Sequence, residues 1–152
     1  MAVAAFAAGA DVPRRAIDGL TAKQLDAHPI PNTWSIRQIV LHLMDTDLIA
    51  SFRMKRIIAE EQPQLELYDE VAFSMRLGYE RMQAATACEV FHLNRILTAE
   101  ILGGLSEETF RRVALHPEIG EKSLGRFVRL YIRHLEQHMQ FLRDKRELVK
   151  QD

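Results

Sequence analysis

The chain contains little cysteine, proline and glycine, and it carries almost no net charge. Its 152 residues include one cysteine, five prolines and seven glycines. Twenty lysines and arginines nearly balance 21 aspartates and glutamates, so the formal net charge is -1. A near-neutral chain lacks the basic field that attracts nucleic acid or an acidic membrane surface, and we expect neither as a partner.

The single cysteine also limits the metal chemistry and the compartment. Cys88 has no second cysteine with which to form an internal disulfide or a thiolate zinc site. This composition is typical of a reducing compartment, and we expect a cytoplasmic protein. The apolar segment 1–10 has no preceding lysine or arginine, unlike a secretion signal, and no apolar run approaches the length of a membrane span. We therefore expect this segment to be helical.

The spacing of the apolar residues predicts an all-α fold. Segments with a 3.6-residue period are separated by the few prolines and glycines, and strict alternation is hard to find. We expect long helical regions over about 2–19, 35–61, 68–102 and 123–149, with a candidate break in the third near Gly78. Short helices follow Thr21 and Ser106, and segment 116–120 forms a loop. These elements predict a four-helix bundle in a single domain, 1–152.

The last long helix carries two histidines on its apolar face. His134 and His138 are four residues apart and follow the same stripe as Leu124, Phe127 and Tyr131. Two imidazoles one turn apart on an inward face are two preplaced nitrogen ligands for a metal. A pair of hydrogen-bonded core histidines is the alternative.

The helix that begins after Trp34 offers a third imidazole. Ser35 and Gln38 form a capping box there, and Trp34 is interpreted as a packing anchor at the helix start. His42 lies seven residues after Ser35, about 10 Å along the helix axis. Antiparallel packing against the last helix would bring His42 level with His134 and His138, which favours a three-histidine site over a hydrogen-bonded core histidine.

Other metal motifs fit less well. In the last helix the glutamate between the two histidines is Glu136, which faces away from the first histidine, so the segment is not the HExxH of zinc peptidases. Glu89 and His92 form one ExxH, whereas a di-iron bundle needs two. Cys88 is expected to be a small core residue rather than a nucleophile.

From about Leu20 to Arg143 the chain resembles the DinB-like (YfiT-like) family of metal-dependent proteins. The resemblance is carried by LTAKQLDAHPIPNTWSIRQIVLHLMDTD, with its Trp-Ser helix start and a histidine eight residues after the Trp, and by HPEIGEKSLGRFVRLYIRHLEQH, with HxxxH after an HPE-G turn. It implies an up-down-down-up bundle, commonly dimeric, that holds a divalent metal with His42, His134 and His138. Asp45 stands at the family's acidic position, and Asp47 stands where many relatives have Glu.

The resemblance implies an enzyme with a small-molecule substrate. We expect a metal-dependent hydrolase or a transferase that uses a low-molecular-weight thiol, with zinc or nickel as the first candidates for the ion. Asp45 is expected to orient an imidazole N–H, and Tyr131 to line the pocket. A non-catalytic metal-stabilised or metal-sensing module is the alternative. A homodimer is expected through helix faces that carry Val71, Phe73, Met75 and Met82.

Overall fold

The computed structural model describes residues 2–150, and the described chain is mainly helical. Its α-helices are α1 (Ala2–Ala8), α2 (Val12–Ile17), α3 (Ala22–Asp26), α4 (Ile36–Ala59), α5 (Glu70–Leu77), α6 (Ala84–Gly103) and α7 (Leu124–Val149). Two 3-10 turns, Tyr79–Arg81 and Thr109–Arg111, and two strands, β1 (Val113–His116) and β2 (Gly120–Ser123), complete the described elements. The predicted domain, 1–152, also includes positions 1, 151 and 152, which lie outside the described residues.

Helix α4 is the central helix, and it runs antiparallel to α7. It buries 15 of its 24 residues, because its neighbours cover most of its circumference. Thr33, just before α4, accepts a hydrogen bond from Lys145 near the end of α7. Arg53, near the end of α4, bonds Tyr131 near the start of α7. Residues early in α4 are therefore level with residues late in α7.

Helix α6 runs in the same direction as α4 and opposite to the N-terminal helices. Arg37, in the first turn of α4, donates to the carbonyl of Met82 just before α6, whereas Ser51 bonds Asn94 farther along both helices. Arg14 of α2 pairs with Glu89 of α6, and Phe6 of α1 packs on Arg95. Taking α1 and α2 as one bundle position, the order is up-down-down-up, and the predicted fold class is confirmed.

Both ends of α4 follow from local sequence. Ser35 and Gln38 form the predicted capping box, in which the Ser35 hydroxyl accepts from the Gln38 amide and the Gln38 side chain accepts from the Ser35 amide. The helix ends at Ala59, close to the expected boundary. Within residues 2–150 no helix has the length and apolar character needed to cross a membrane.

The third predicted helical region is divided in the structure. Gly78 adopts a left-handed conformation, with φ 71°, and ends α5 before the 3-10 turn and α6. Because a residue with a Cβ is disfavoured there, Gly78 is the physical reason for the interruption. The first region is likewise divided between α1 and α2, and the short helix expected after Ser106 is the 3-10 turn Thr109–Arg111.

The expectation of a loop at 116–120 is only partly correct. Strands β1 and β2 pair antiparallel with Val113 opposite Ser123 and His116 opposite Gly120, which has φ 68°. The outer edge of β1 is also paired, since the Leu115 amide donates to the Pro63 carbonyl and the Leu115 carbonyl accepts from Leu65. Strands of four residues carry little periodic signal in the sequence. The pairing at the outer edge of β1 also depends on residues about 50 positions away in the chain.

The four residues expected in a dimer interface differ in exposure. Met75 is 75% exposed and Val71 52%, whereas Met82 is 38% exposed and Phe73 packs against the core. Two side chains on α5 thus leave apolar area in solvent. Association of two copies through this helix remains a prediction.

Candidate metal centre

The structure brings together the three histidines named from the sequence. One possible ligand atom from each of His42, His134 and His138 lies within 4.8 Å of the other two. His42 Nε2 and His134 Nε2 are 3.2 Å apart, and the His134 and His138 ring centroids are 4.4 Å apart. The four-residue spacing on α7 supplies two of these rings, and antiparallel packing supplies the third.

Burial keeps the three imidazoles neutral. It lowers the pKa of His42 to about 3, with smaller contributions from His138 and His134. It lowers the pKa of His134 to about 4, with help from His138 and the Arg95 charge, and it lowers the pKa of His138. A neutral imidazole presents a lone pair on one ring nitrogen, so at neutral pH the cluster is a set of nitrogen donors.

The donor set fits a divalent transition metal. Imidazole nitrogen suits zinc and nickel, and three such donors leave room for a further ligand. His138 Nδ1 is buried and has no hydrogen-bond partner within residues 2–150. A buried imidazole nitrogen without a partner is costly, and a ligand at this group could remove that cost.

A short polar chain lies behind His42. The Thr46 hydroxyl is 3.5 Å from His42 Nδ1 and 2.5 Å from the Tyr68 hydroxyl. The Trp34 ring packs on the same imidazole, with centroids 4.8 Å apart. Thr46 is one helical turn after His42, so its hydroxyl approaches the nitrogen that faces away from the cluster. These contacts hold the His42 ring with Nε2 directed at His134.

Asp45 and Tyr131 have partners other than those expected. The Asp45 carboxylate accepts a hydrogen bond from the Tyr79 hydroxyl, and the hydrogen bonds among residues 2–150 do not connect it with an imidazole. Tyr131 is only 5% exposed, and its hydroxyl accepts a 3.0 Å hydrogen bond from Arg53. Tyr131 therefore lies behind Arg53 and does not itself line the cavity that Arg53 lines. In the structure Thr46, rather than Asp45, is placed against an imidazole nitrogen.

His138 lines a cavity of about 240 Å³ together with Trp34 and Phe141. A second cavity, of about 560 Å³, lies near the cluster, but none of the three histidines lines it. It is lined by Arg53, Leu67, Tyr68, Asp69, Glu70, His116 and Glu118. Glu70 connects the cavity with the cluster, because its Oε2 is 3.8 Å from His42 Nε2 while its side chain is 53% exposed. Burial raises the pKa of Glu70, and the Asp69 charge adds to the shift. The volume lies within the range of small-molecule sites.

Sequence reasoning missed Glu70, Thr46 and Arg53. Thr46 could have been found from its position four residues after His42, since that spacing places two side chains on the same helix face. Glu70 and Arg53 carry no comparable signal. Glu70 follows Asp69, whose side chain caps α5, so a helix start explains its position without any site. Glu70 comes close to His42 only because α5 packs against α4.

The residues set aside in the sequence analysis lie away from the cluster. His92 Nδ1 is 3.0 Å from Asp11, and Glu89 pairs with Arg14, so both members of the ExxH contact α2 or the residue before it. Cys88 is buried, and burial raises the pKa of its thiol to about 12. A thiol with that pKa is protonated at neutral pH and is a poor nucleophile.

The fold is similar to that of a solved bacterial protein. YfiT from Bacillus subtilis, described as a probable metal-dependent hydrolase with an unusual four-helix bundle topology, aligns with a TM-score of 0.89. The alignment covers 95% of this chain and 83% of that chain, at 23% sequence identity. At this level of identity the match establishes the shared fold.

Sequence comparison identifies related proteins and the family. A protein of Oceanobacillus iheyensis, provisionally named a metal-dependent hydrolase, is 29% identical over 132 residues, which are 85% of this chain and 76% of that protein. YfiT of Bacillus subtilis, with the same provisional name, is 27% identical over 127 residues, 83% of this chain and 71% of its own. The model of the DinB superfamily matches residues 5–142, and the chain therefore belongs to the DinB superfamily.

Proposed function

We propose that this DinB-superfamily protein is a metal-dependent enzyme that acts on a small molecule, with hydrolysis as the leading reaction. His42, His134 and His138 would hold one divalent ion, with zinc or nickel as the first candidates. The observation that carries the proposal is that three neutral imidazoles meet in one group, and that one of them, His138, lines a cavity. The hydrolase names of the relatives support the same reaction class.

The bound ion would supply Lewis acidity, which lowers the pKa of a water or thiol that reaches it and polarises an electrophile. The chain's own residues would do the rest of the work. Thr46, held by Tyr68, would accept a hydrogen bond from His42 Nδ1 and keep Nε2 turned inward. Glu70 would face the reacting molecule from the cavity side, since its carboxylate is nearest to His42.

Transfer of a low-molecular-weight thiol is the second candidate reaction. The observation that favours an external thiol over a protein thiol is the state of Cys88, whose pKa is raised to about 12 by burial and by the Glu89 charge. Any thiol chemistry at this site would therefore need a cosubstrate such as glutathione, bacillithiol or mycothiol. The cavity volume of about 560 Å³ is large enough for part of such a molecule.

A non-catalytic metal-sensing module would not need an accessible site. A closed site with four protein ligands is typical of structural metal, whereas three ligands and an open position are typical of catalytic metal. Within residues 2–150 the group that could hold an ion consists of the three histidines, and the Glu70 carboxylate, 3.8 Å from His42 Nε2, is half exposed rather than enclosed in the group. This arrangement supports the enzyme over the module.

The experiment combines metal analysis with assays of both reactions. The purified protein is expected to carry about one divalent ion per chain, and the loaded protein to hydrolyse activated esters or amides, or to conjugate a thiol to an electrophile. The His42→Ala, His134→Ala, His138→Ala triple variant should have neither property, and His92→Ala, which alters a histidine outside the cluster, should keep both. Retention of the ion by the triple variant would refute the site, and a loaded protein inactive in both assays would favour the module.

A further inference from the structure

We infer that the cavity of about 560 Å³ lined by Arg53 and Glu118 binds a small amino-carboxylate, whose carboxylate pairs with Arg53 and whose ammonium group faces Glu118. The inference rests on the proposed function in treating this cavity as the substrate site. It adds the chemical class of the substrate and two residues that would recognise it.

Arg53 provides a buried positive charge in the cavity wall. The residue is 8% exposed and lines the cavity. Its Nη1 donates to the Tyr131 hydroxyl at 3.0 Å, and its Nη2 donates to the Glu66 carbonyl. Both acceptors are neutral, so the guanidinium is held in place by them while its charge remains without a counter-ion.

The absence of a counter-ion is unusual for such a buried group. Among residues 2–150, no carboxylate oxygen lies within 4.0 Å of the Arg53 guanidinium, whereas Arg95, which is also buried, pairs with Asp47 at 2.9 Å. Buried charges in proteins are normally paired. A carboxylate in the cavity would supply the missing charge, and guanidinium geometry suits a carboxylate well.

The opening of the cavity has the opposite charge. Asp69, Glu70 and Glu118 line it and are exposed. Asp69 accepts the amide hydrogen bond of Ala72 as a helix cap, and Glu70 is nearest to His42. Glu118 is the carboxylate left to meet a ligand cation. These carboxylates would repel a simple anion. A zwitterion can instead place its carboxylate near Arg53 and its ammonium group near Glu118.

His116 does not alter this distribution of charge. Its Nδ1 accepts a 3.3 Å hydrogen bond from the Glu118 amide, which places the ring proton on Nε2. Burial and the Arg53 charge lower its pKa, so the ring is neutral at pH 7. The cavity therefore has one cationic side chain, Arg53, and its remaining charged lining residues are carboxylates.

The test compares three probes of equal carbon length: L-2-aminobutyrate, butyrate and butylamine. Binding is measured by isothermal titration calorimetry to the purified protein at its measured metal content and at pH 7. We expect 2-aminobutyrate to bind at least tenfold more tightly than either of the other probes. Equal affinity for all three, or tightest binding of butylamine, would overturn the inference.

Two variants test which residue binds which end of the ligand. Glu118→Gln should reduce the advantage of 2-aminobutyrate over butyrate to less than threefold, and Glu121→Gln, an exposed carboxylate in β2 outside the cavity lining, should leave that advantage intact. Arg53→Lys, which keeps the charge but not the planar donor set, should weaken both carboxylates about tenfold and leave butylamine unchanged. An unchanged preference in Glu118→Gln would overturn the assignment even if the Arg53 variant fails to fold.

The same titrations separate this inference from the proposed function. If 2-aminobutyrate binds as expected but no metal-dependent reaction is found, the enzyme proposal fails and the binding site stands. If the protein hydrolyses or conjugates other compounds while 2-aminobutyrate shows no preference, the binding site fails and the metal-dependent function stands. Repeating the titrations with the triple histidine variant should leave the preference for 2-aminobutyrate intact, since Arg53 and Glu118 are retained. Loss of the preference would overturn the inference, because the amino-carboxylate would then bind by chelating the metal ion.

Discussion

Two polar clusters are buried in the same helical bundle, and they differ in whether they contain a pair of opposite charges. Between α4 and α6, Asp47 accepts hydrogen bonds from Asn94 and Arg95. The Arg95 guanidinium also lies 4.3 Å from the Phe6 ring centroid and 4.7 Å from that of Phe91. Between α4 and α7, the three imidazoles lie against one another instead.

The difference separates a structural role from a functional one. The Arg95–Asp47 pair has opposite charges and further contacts, which is how a fold compensates the cost of burying an ion. The histidine cluster contains three neutral imidazoles and no charged partner. Three adjacent nitrogen donors of this kind are available to bind a metal ion.

Breaking the paired cluster should have the largest effect on stability. Asp47→Ala leaves the Arg95 charge buried without its partner, and we expect a loss of about 3 to 5 kcal/mol in the free energy of unfolding. Urea denaturation of the metal-free protein measures it. Glu89→Ala, which removes the exposed partner of Arg14, should cost less than about 1 kcal/mol. A similar small cost for Asp47→Ala would remove the contrast between the clusters.

Breaking the histidine cluster should affect metal binding far more than folding. His134→Ala removes one of three donors, and we expect the Kd for zinc to rise at least 100-fold, about 2.8 kcal/mol. The stability of the metal-free protein should change by less than about 1 kcal/mol, since no charge is left unpaired. Competition with a chromophoric chelator measures the Kd. An unchanged Kd would contradict ligation by this residue.

The pH dependence of stability sharpens the contrast. The unfolded chain binds protons on its histidines near pH 6.5, whereas in the folded protein the pKa values of His42 and His134 are about 3 and 4. The neutral folded state is therefore favoured above pH 6.5 and penalised as the pH falls toward 4. For the metal-free protein we expect a loss of about 4 kcal/mol between pH 6.5 and 4.5 relative to the triple histidine variant, about 2 kcal/mol from each of these two histidines. Parallel curves for the two proteins would contradict burial of neutral imidazoles.

Removing the hydroxyl that supports the His42 ring should have a smaller effect on metal binding. Thr46→Val removes the hydroxyl near His42 Nδ1 at nearly constant volume, and we expect zinc affinity to fall about tenfold, or about 1.4 kcal/mol. Thr98→Val is the matched control, because the Thr98 hydroxyl is buried without a partner in residues 2–150 and lies on α6. Equal effects of the two substitutions on affinity would exclude a specific role for Thr46.

The smallest effect is expected at the cysteine. Cys88→Ser should leave the rate of either metal-dependent reaction within about twofold per folded molecule, because the buried thiol is protonated and lies on α6, whereas the histidines lie on α4 and α7. Steady-state rates with ester and thiol substrates measure it. A tenfold loss would assign the cysteine a part in the reaction.

Local signals in the sequence account for the elements that hold the site. The cap formed by Ser35 and Gln38 sets the start of α4, and the spacing of His134 and His138 places both on the inward stripe of α7. These features depend on residues three or four apart, and helix geometry converts such spacing directly into a shared face. The hairpin was missed because its strands are short and its outer edge pairs with residues 63–65.

The sequence by itself determined an all-α bundle and a set of three histidines at matching levels of two helices, because helix period and caps are local properties. Only the tertiary structure decided what surrounds those histidines. Glu70, Arg53 and Glu118 come from α5, α4 and the hairpin turn, and they share a cavity because the segments after α4 and after α6 pack together. Contacts between side chains so far apart in the chain depend on how whole elements pack, which no short pattern of residues encodes.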